Sequence, residues 1–252
     1  IQRLGLHITA TIRSVGRESY DSLLSMDGVI VIGKFEIAPD DLLLNRLQNI
    51  VFVDYSPDES RYDSVIVDFE QVTVMAIDHL LSLGYRKIGF IGSRDSITSF
   101  GTDTGIDRID LRHRRFESYM MEKGLYEPQH VYIGSNYSML MGYQLMQQAI
   151  VAKDFPEAFV LASDSMAIAA YKALEEAGLR VPKDIAIISI DDIEMASYAN
   201  PPLTTIKVYT EQMGQSAVNL LMEQIAGREI PIKVVVPPRL MVRGSCGAAV
   251  RY

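Results

Sequence analysis

Short apolar runs and amphipathic stretches take turns along this chain. Residues 28–32, 50–53, 66–67, 87–91, 158–162 and 185–190 are nearly continuous apolar sequence, as in strands covered on both faces of a parallel sheet. Between them apolar residues recur at helical spacing. Val74, Ile77, Leu80 and Leu81 stripe one segment that stops at Gly84. Met166, Ala169, Ala170, Ala173, Leu174 and Ala177 stripe another, started by the oxygens of Asp164 and Ser165 and stopped by Gly178. Residues 138–151 and 211–226 read as two more, the latter with Met213, Ala217, Leu220, Leu221 and Ile225 on one side. Pro39-Asp40-Asp41 opens a further helix through Leu42, Leu43, Leu44 and Leu47, and Leu6, Ile8, Ala10 and Ile12 alternate as a strand. This is the βαβ rhythm of parallel sheets in an α/β protein. Residues 93–110 form the longest polar stretch and read as a loop, either a lid over a cleft or simply mobile chain.

Carboxylates recur where the predicted strands end. Asp54 follows Val53, Ser163 and Asp164 follow Ala162, and Asp191 and Asp192 follow Ile190. Open α/β sheets bind ligands in the crevice outside the carboxyl ends of their strands, so the sequence predicts that Asp54, Asp164 and Asp191 meet in one crevice. Carboxylates accept hydrogen bonds from vicinal hydroxyls, and Arg112 offers a planar fork of donors. Tyr137 adds an aromatic face that can stack on a pyranose ring. That set suits a sugar. Each residue also has a plainer reading: Asp164 as a helix cap, Tyr137 as a core aromatic, and the basic run Arg112-His113-Arg114-Arg115 as a solvated helix face.

Composition narrows the field. The 252 residues are 48% hydrophobic and 22% charged, enough for one large domain or two small ones with real cores. A net charge of -8 argues against this segment wrapping nucleic acid by itself. One cysteine, Cys246, cannot build a disulfide framework, and the four histidines are scattered without ligand spacing, so no metal or other cofactor is expected. No apolar run reaches the roughly 18–20 residues of a membrane helix. Residues 88–93, IGFIGS, lack the third glycine of a dinucleotide fingerprint, and neither a nucleophile elbow nor a phosphate-binding loop is present, so an enzyme is not expected.

Several runs carry a resemblance. Gly178-Leu179-Arg180-Val181-Pro182-Lys183-Asp184, the strand ending in Asp191-Asp192, and Pro201-Pro202-Leu203-Thr204-Thr205 resemble the most recognisable part of the lactose/galactose repressor family of bacterial transcription regulators. Asp27-Gly28-Val29-Ile30-Val31, Val53-Asp54, Val67-Asp68, the run from His79 to Ile88 and Arg112-His113-Arg114-Arg115-Phe116 fall in that family's order. The resemblance implies two similar doubly wound subdomains of the type I periplasmic-binding-protein kind, joined by three crossovers with ligand between them. One subdomain would take residues 1–84 with 208–236, the other residues 85–207 with 237–252. The first strand and helix of the first subdomain, and a preceding helix-turn-helix, would then lie outside this sequence.

By the same resemblance Arg112 occupies the arginine of an R-x-x-G-F pattern, Tyr137 the cleft aromatic, Ser163-Asp164 the usual Asn-Asp, and Asp191 the aspartate after the last core strand. Asp54 and Asp68 match less diagnostic aspartates. Arg115 stands where the family has glycine, and Ser163 where it often has asparagine. The implied protein is the effector-binding, dimerising core of a cytoplasmic regulator. Its partners would be a small effector, operator DNA reached through the absent amino-terminal domain, and a second copy paired through residues 40–49 and the region of Tyr198. Residues 208–211 and 163–167 are similar to galactose-operon regulators of Gram-positive bacteria, which favours galactose or a galactoside. A sugar receptor of a transporter shares the fold and is the competing expectation.

Overall fold

The computed structural model describes residues 20–36, 44–99, 105–152 and 154–248. The strand expected at residues 6–12 and the helix start expected at residues 39–43 lie outside them; residues 44–46 form a turn. The chain divides into two compact units. The first comprises the described parts of Ile1–Val67, Ser96–Asp107 and Tyr209–Pro237, the second those of Asp68–Asp95, Arg108–Val208 and Pro238–Tyr252.

In the first unit, α1 (Tyr20–Leu24) precedes β1 (Val29–Ile32), and a short β2 (Phe35–Glu36) follows. The strands β1, β3 (Ile50–Val53), β4 (Asp63–Ile66) and β11 (Lys233–Val235) lie side by side in that order, all parallel, with Val29 beside Ile50 and Val51 beside Asp63. The fully buried run of β3 explains why its limits are legible in sequence. The helix α7 (Thr210–Ile225) packs on β1, β3 and β4. β4 begins earlier than the expected 66–67, because the polar pair Asp63-Ser64 is itself buried in the sheet.

The second unit holds the larger sheet. Its strands run in the order β12 (Arg239–Met241), β10 (Thr204–Lys207), β9 (Ala186–Asp191), β8 (Ala158–Leu161), β5 (Ile88–Ser99), with β7 (Val131–Gly134) on the other side of β5. All neighbours are parallel except β10 and β12. The polar stretch after residue 93 is therefore not all loop. β5 continues to Ser99, and β6 (Gly105–Ile109) pairs with it, so backbone pairing overrides the lack of apolar side chains. The far end of β5, from Ser96, belongs to the first unit, where Thr98 lies beside Phe35 of β2.

Helices cover both faces. Adjacent residues of a strand point to opposite sides: Phe90 meets Phe116 of α3 (Leu111–Glu122) at 5.1 Å between ring centres, while Ile91 joins the core beneath α4 (Met139–Val151) and α5 (Asp164–Glu176). On Phe90's side α2 (Phe69–Ser82) packs against α3. The α4–α5 contact is close because residue 142 is glycine; a Cβ there would stand 2.5 Å from the Met166 backbone. Gly84 and Gly178 follow α2 and α5 with φ of 97° and 73°, as the helix-stop reading expects. Behind β10, the buried Cys246 receives the Thr204 hydroxyl at 3.3 Å, and His79 Nε2 lies 3.3 Å from its sulfur.

Candidate functional site

Strand order alone marks a place for a ligand in the second unit. From β5 the chain goes to β7 on one side, then returns to β8 on the other, so the β5/β8 boundary is a switch point where the connections diverge and leave a crevice at the carboxyl ends. The side chains gathered there come from α3, from the loop before α4 and from the ends of β8 and β9.

Arg112 sits in the first turn of α3 and is 8% exposed despite its charge. Its Nε and Nη2 donate to the two carboxylate oxygens of Asp110 at 2.8 and 2.9 Å, and Nη1 donates to the Ala162 carbonyl, just past β8, at 2.9 Å. The guanidinium carbon lies 4.8 Å from the ring centre of Phe69 and 4.6 Å from that of Tyr137. Burial opposes the charged form, but the fork on Asp110, aided by Asp191, holds the guanidinium above its ordinary pKa. Asp110 also caps α3 by accepting from the Arg112 amide at 2.8 Å. The basic run thus splits. Arg114 and Arg115 pair with Glu70 and Glu122 on the helix exterior, while Arg112 turns inward.

Tyr137 is half-buried, and its hydroxyl lies 3.5 Å from the Ser93 carbonyl. Burial raises its phenol, Arg112 opposes that shift, and Asp110 and Asp95 reinforce it. Its ring packs against the core, as the plainer of its two readings expects, and also lies under the Arg112 guanidinium.

The end of β8 differs from the sequence expectation. Ser163, not Asp164, is the N-cap of α5, accepting from the Met166 amide. Asp164 is fully buried and satisfied within the protein: Oδ1 accepts from the hydroxyls of Ser189 and Thr205, and Oδ2 accepts from the Ile193 amide at 2.9 Å. Burial raises its pKa, against the pull of those three donors. Asp164 thereby ties α5 to β9, β10 and the segment after β9.

That segment carries an unusual backbone. Asp191 and Asp192 have φ of 124° and 58°, a region that costs non-glycine residues about 1–3 kcal/mol each. Asp192 is held by Arg243 at 2.6 Å and Lys207 at 3.0 Å, and its amide meets the Thr205 hydroxyl. Asp191 is partly exposed and acts electrostatically on Arg112.

The two remaining predicted residues come from other elements. Asp68 caps α2, accepting from the Gln71 amide at 2.9 Å. Asp54 follows β3 in the first unit with φ of 68°, its amide donating to the Val65 carbonyl, so the three strand-end carboxylates do not share one sheet. Sequence reasoning passed over Asp110 and Phe69. The signal for Asp110 was present, an Asp directly before a helical stretch.

Two other places are less suited to a ligand. A hollow of about 430 Å³ lined by Leu83, Gly84, Tyr85, Glu157 and Pro182 to Asp184 lies at the amino ends of β5, β8 and β9, the opposite edge of the sheet from the crevice. Glu127, His130 and Asp154 place ligand atoms within 4.8 Å of one another, yet the imidazole Nε2 is engaged by the Asp154 carbonyl and Lys87 pairs with the Asp154 carboxylate. Among the described residues no helix is long and apolar enough to cross a membrane.

Residues 77–246 match the family described as the periplasmic binding protein-like domain. The chain belongs to that family, in the form carried by the lactose/galactose repressor regulators. Over 226 residues it is 46% identical to the HTH-type transcriptional repressor MelR of Bacillus subtilis (strain 168), covering 90% of this chain and 65% of that protein. Over 220 residues it is 36% identical to the HTH-type transcriptional regulator GalR of Streptococcus thermophilus, covering 86% and 65%. Among solved structures, the lac repressor dimer bound to operator and the anti-inducer ONPF superposes with a TM-score of 0.80 at 26% identity, covering 98% of this chain and 74% of that one. The CelR–cellobiose complex gives 0.73 at 27% identity, covering 90% and 69%. The chain thus spans just under two thirds of the length of the curated relatives it matches. Those relatives are transcriptional regulators rather than enzymes, and the transporter-receptor reading is not favoured.

Proposed function

We propose that this chain is the effector-sensing core of a cytoplasmic transcriptional repressor. It binds a small neutral sugar, galactose or a galactoside by preference, at the β5/β8 switch point. It acts as a homodimer, and operator DNA is bound by an amino-terminal helix-turn-helix domain outside this sequence. The observation that carries the reading is Arg112, a buried guanidinium packed on two aromatic rings and anchored on Asp110 and Ala162 at that switch point. A buried, oriented fork next to an aromatic face and a strand-end carboxylate is the polar set that fixes a polyhydroxylated ligand. The cellobiose-bound CelR and the similarity to a GalR support a sugar as the ligand.

In this proposal Arg112, Tyr137 and Asp191 contact the effector directly. Ser163 and Asp164 act from behind by fixing the start of α5 and the loop that presents Asp191, Asp68 contributes by starting α2, and Asp54 is a candidate contact within the first unit alone. Binding changes operator affinity only if the effector prefers one arrangement of the protein over another.

Thermal-shift measurements with galactose, methyl galactosides, cellobiose and ribose test this directly. A ligand of the folded state raises the melting temperature by mass action. Stabilisation of the parent by galactose or a galactoside, lost in Arg112→Ala and Asp191→Ala, is the expected result; an equal shift in the parent and both variants would refute the site.

A further inference from the structure

We infer that Asp110 sets the charge class of the effector: by taking one edge of the Arg112 guanidinium it leaves a neutralised donor pair for the ligand, so the site accepts uncharged polyols and rejects phosphate esters. The inference rests on the proposed function and adds a residue to it.

A guanidinium carries five N–H donors. Three of the Arg112 donors are committed, Nε and one Nη2 hydrogen to Asp110 and one Nη1 hydrogen to Ala162. That leaves one hydrogen on each terminal nitrogen, two donors for hydroxyl oxygens of a ligand. The ring centres of Phe69 and Tyr137 lie 4.8 and 4.6 Å from the guanidinium carbon, so aromatic surface covers part of the group and the remaining N–H donors are its polar offer to a ligand.

Charge then decides between ligand classes. Phosphate sites in proteins present net positive charge to the anion. Here the single buried guanidinium already faces two carboxylates, Asp110 in direct contact and Asp191 through space, and Asp95 acts on the neighbouring Tyr137. The nearby cations Lys207 and Arg243 are engaged by Asp192, and Arg94 and Arg108 lie at exposed positions. A phosphate group entering such a site would meet like charges and lose its hydration without a compensating cation. A neutral sugar meets donors and acceptors without that cost.

Asp110→Asn tests the inference, because asparagine caps a helix about as well as aspartate, removes the charge and exchanges one acceptor oxygen for an NH2 donor. Calorimetric titration with galactose, galactose 1-phosphate and inorganic phosphate is run on parent and variant, with circular dichroism confirming the fold. The parent is expected to bind galactose and to show no measurable inorganic phosphate binding. In the variant galactose affinity falls about tenfold or more, as expected for loss of a charge-assisted hydrogen bond, while the phosphate ester gains on it, so the selectivity ratio narrows. The variant's melting temperature also rises with inorganic phosphate beyond the effect of chloride at equal ionic strength, and the parent's does not.

A merely structural Asp110 would weaken both sugars alike and leave the ratio unchanged, which overturns the inference; so does a parent that prefers the phosphate ester. If the parent binds none of the sugars, the proposed function fails, and the inorganic phosphate comparison still decides whether Asp110 neutralises Arg112. Asp110→Ser, which also retains the cap, replaces the asparagine variant should that one not fold.

Discussion

Arg228 and Asp63, 165 residues apart in the chain, form a forked ion pair that closes the first unit's sheet. Asp63 begins β4 with its side chain fully buried and also accepts the Ile232 amide ahead of β11 at 2.6 Å, while Arg228 reaches back to the Leu220 carbonyl of α7. One carboxylate therefore fixes the return of the chain from α7 into the sheet. Asp63→Ala strands a largely buried guanidinium and an amide, a loss of about 3–5 kcal/mol. Urea unfolding is expected to show it as a lower midpoint.

The α4–α5 contact leaves no room at residue 142. Gly142→Ala places a methyl group 2.5 Å from the Met166 Cα and carbonyl oxygen, which are backbone atoms that cannot rotate away. Overpacking of this kind costs about 1–3 kcal/mol. The intrinsic helix preference of alanine over glycine, about 1 kcal/mol the other way, offsets only part of it, so the melting temperature falls.

Asp164 makes stability depend on pH. Burial lifts its folded pKa above the ordinary 3.8, so over the interval between these values the native state retains a proton that the unfolded chain has released. Stability from this group is full below 3.8 and declines as pH rises through the folded pKa. Asp164→Asn removes the titration. The stability difference between parent and variant, read from urea midpoints at stepped pH, is expected to move in the variant's favour as pH increases from 3.8.

Backbone strain at Asp191 separates two substitutions. Asp191→Ala keeps a Cβ at φ of 124°, whereas glycine tolerates that angle. Relief of about 1–3 kcal/mol of strain exceeds the roughly 0.5–1 kcal/mol entropic cost of glycine. Asp191→Gly is therefore expected to melt higher than Asp191→Ala, with effector binding reduced in both; the two melting curves and a titration with galactose check it.

Much of the second unit's sheet was legible because β8 is an unbroken apolar run and β9 is apolar up to its end apart from Ser189, and β3 of the first unit for the same reason. Strands β10 and β12 escaped because Thr204–Lys207 and Arg239–Met241 are short and carry polar residues that only their neighbours make strand-like. The outer part of β5 was misread as loop for a similar reason. At the site, Arg112 and Tyr137 could be named from sequence and do come together, but the division of labour among the aspartates could not. Asp164 and Asp191 look alike as strand-end carboxylates, and only the donors from Ser189, Thr205 and Ile193 make one internal. Likewise nothing in the pair Asp191-Asp192 says which of the two takes Arg243 and Lys207.

Cys246 is the chain's sole thiol, and it is shut away between Thr204 and His79 with none of its surface exposed. A thiol reagent can reach it only when the packing around it opens, so the labelling rate becomes a clock for that local opening. No engineered reporter is needed: the unmodified protein, mixed with a chromogenic disulfide, times its own breathing, and a ligand that tightens the second unit will be seen to slow the clock.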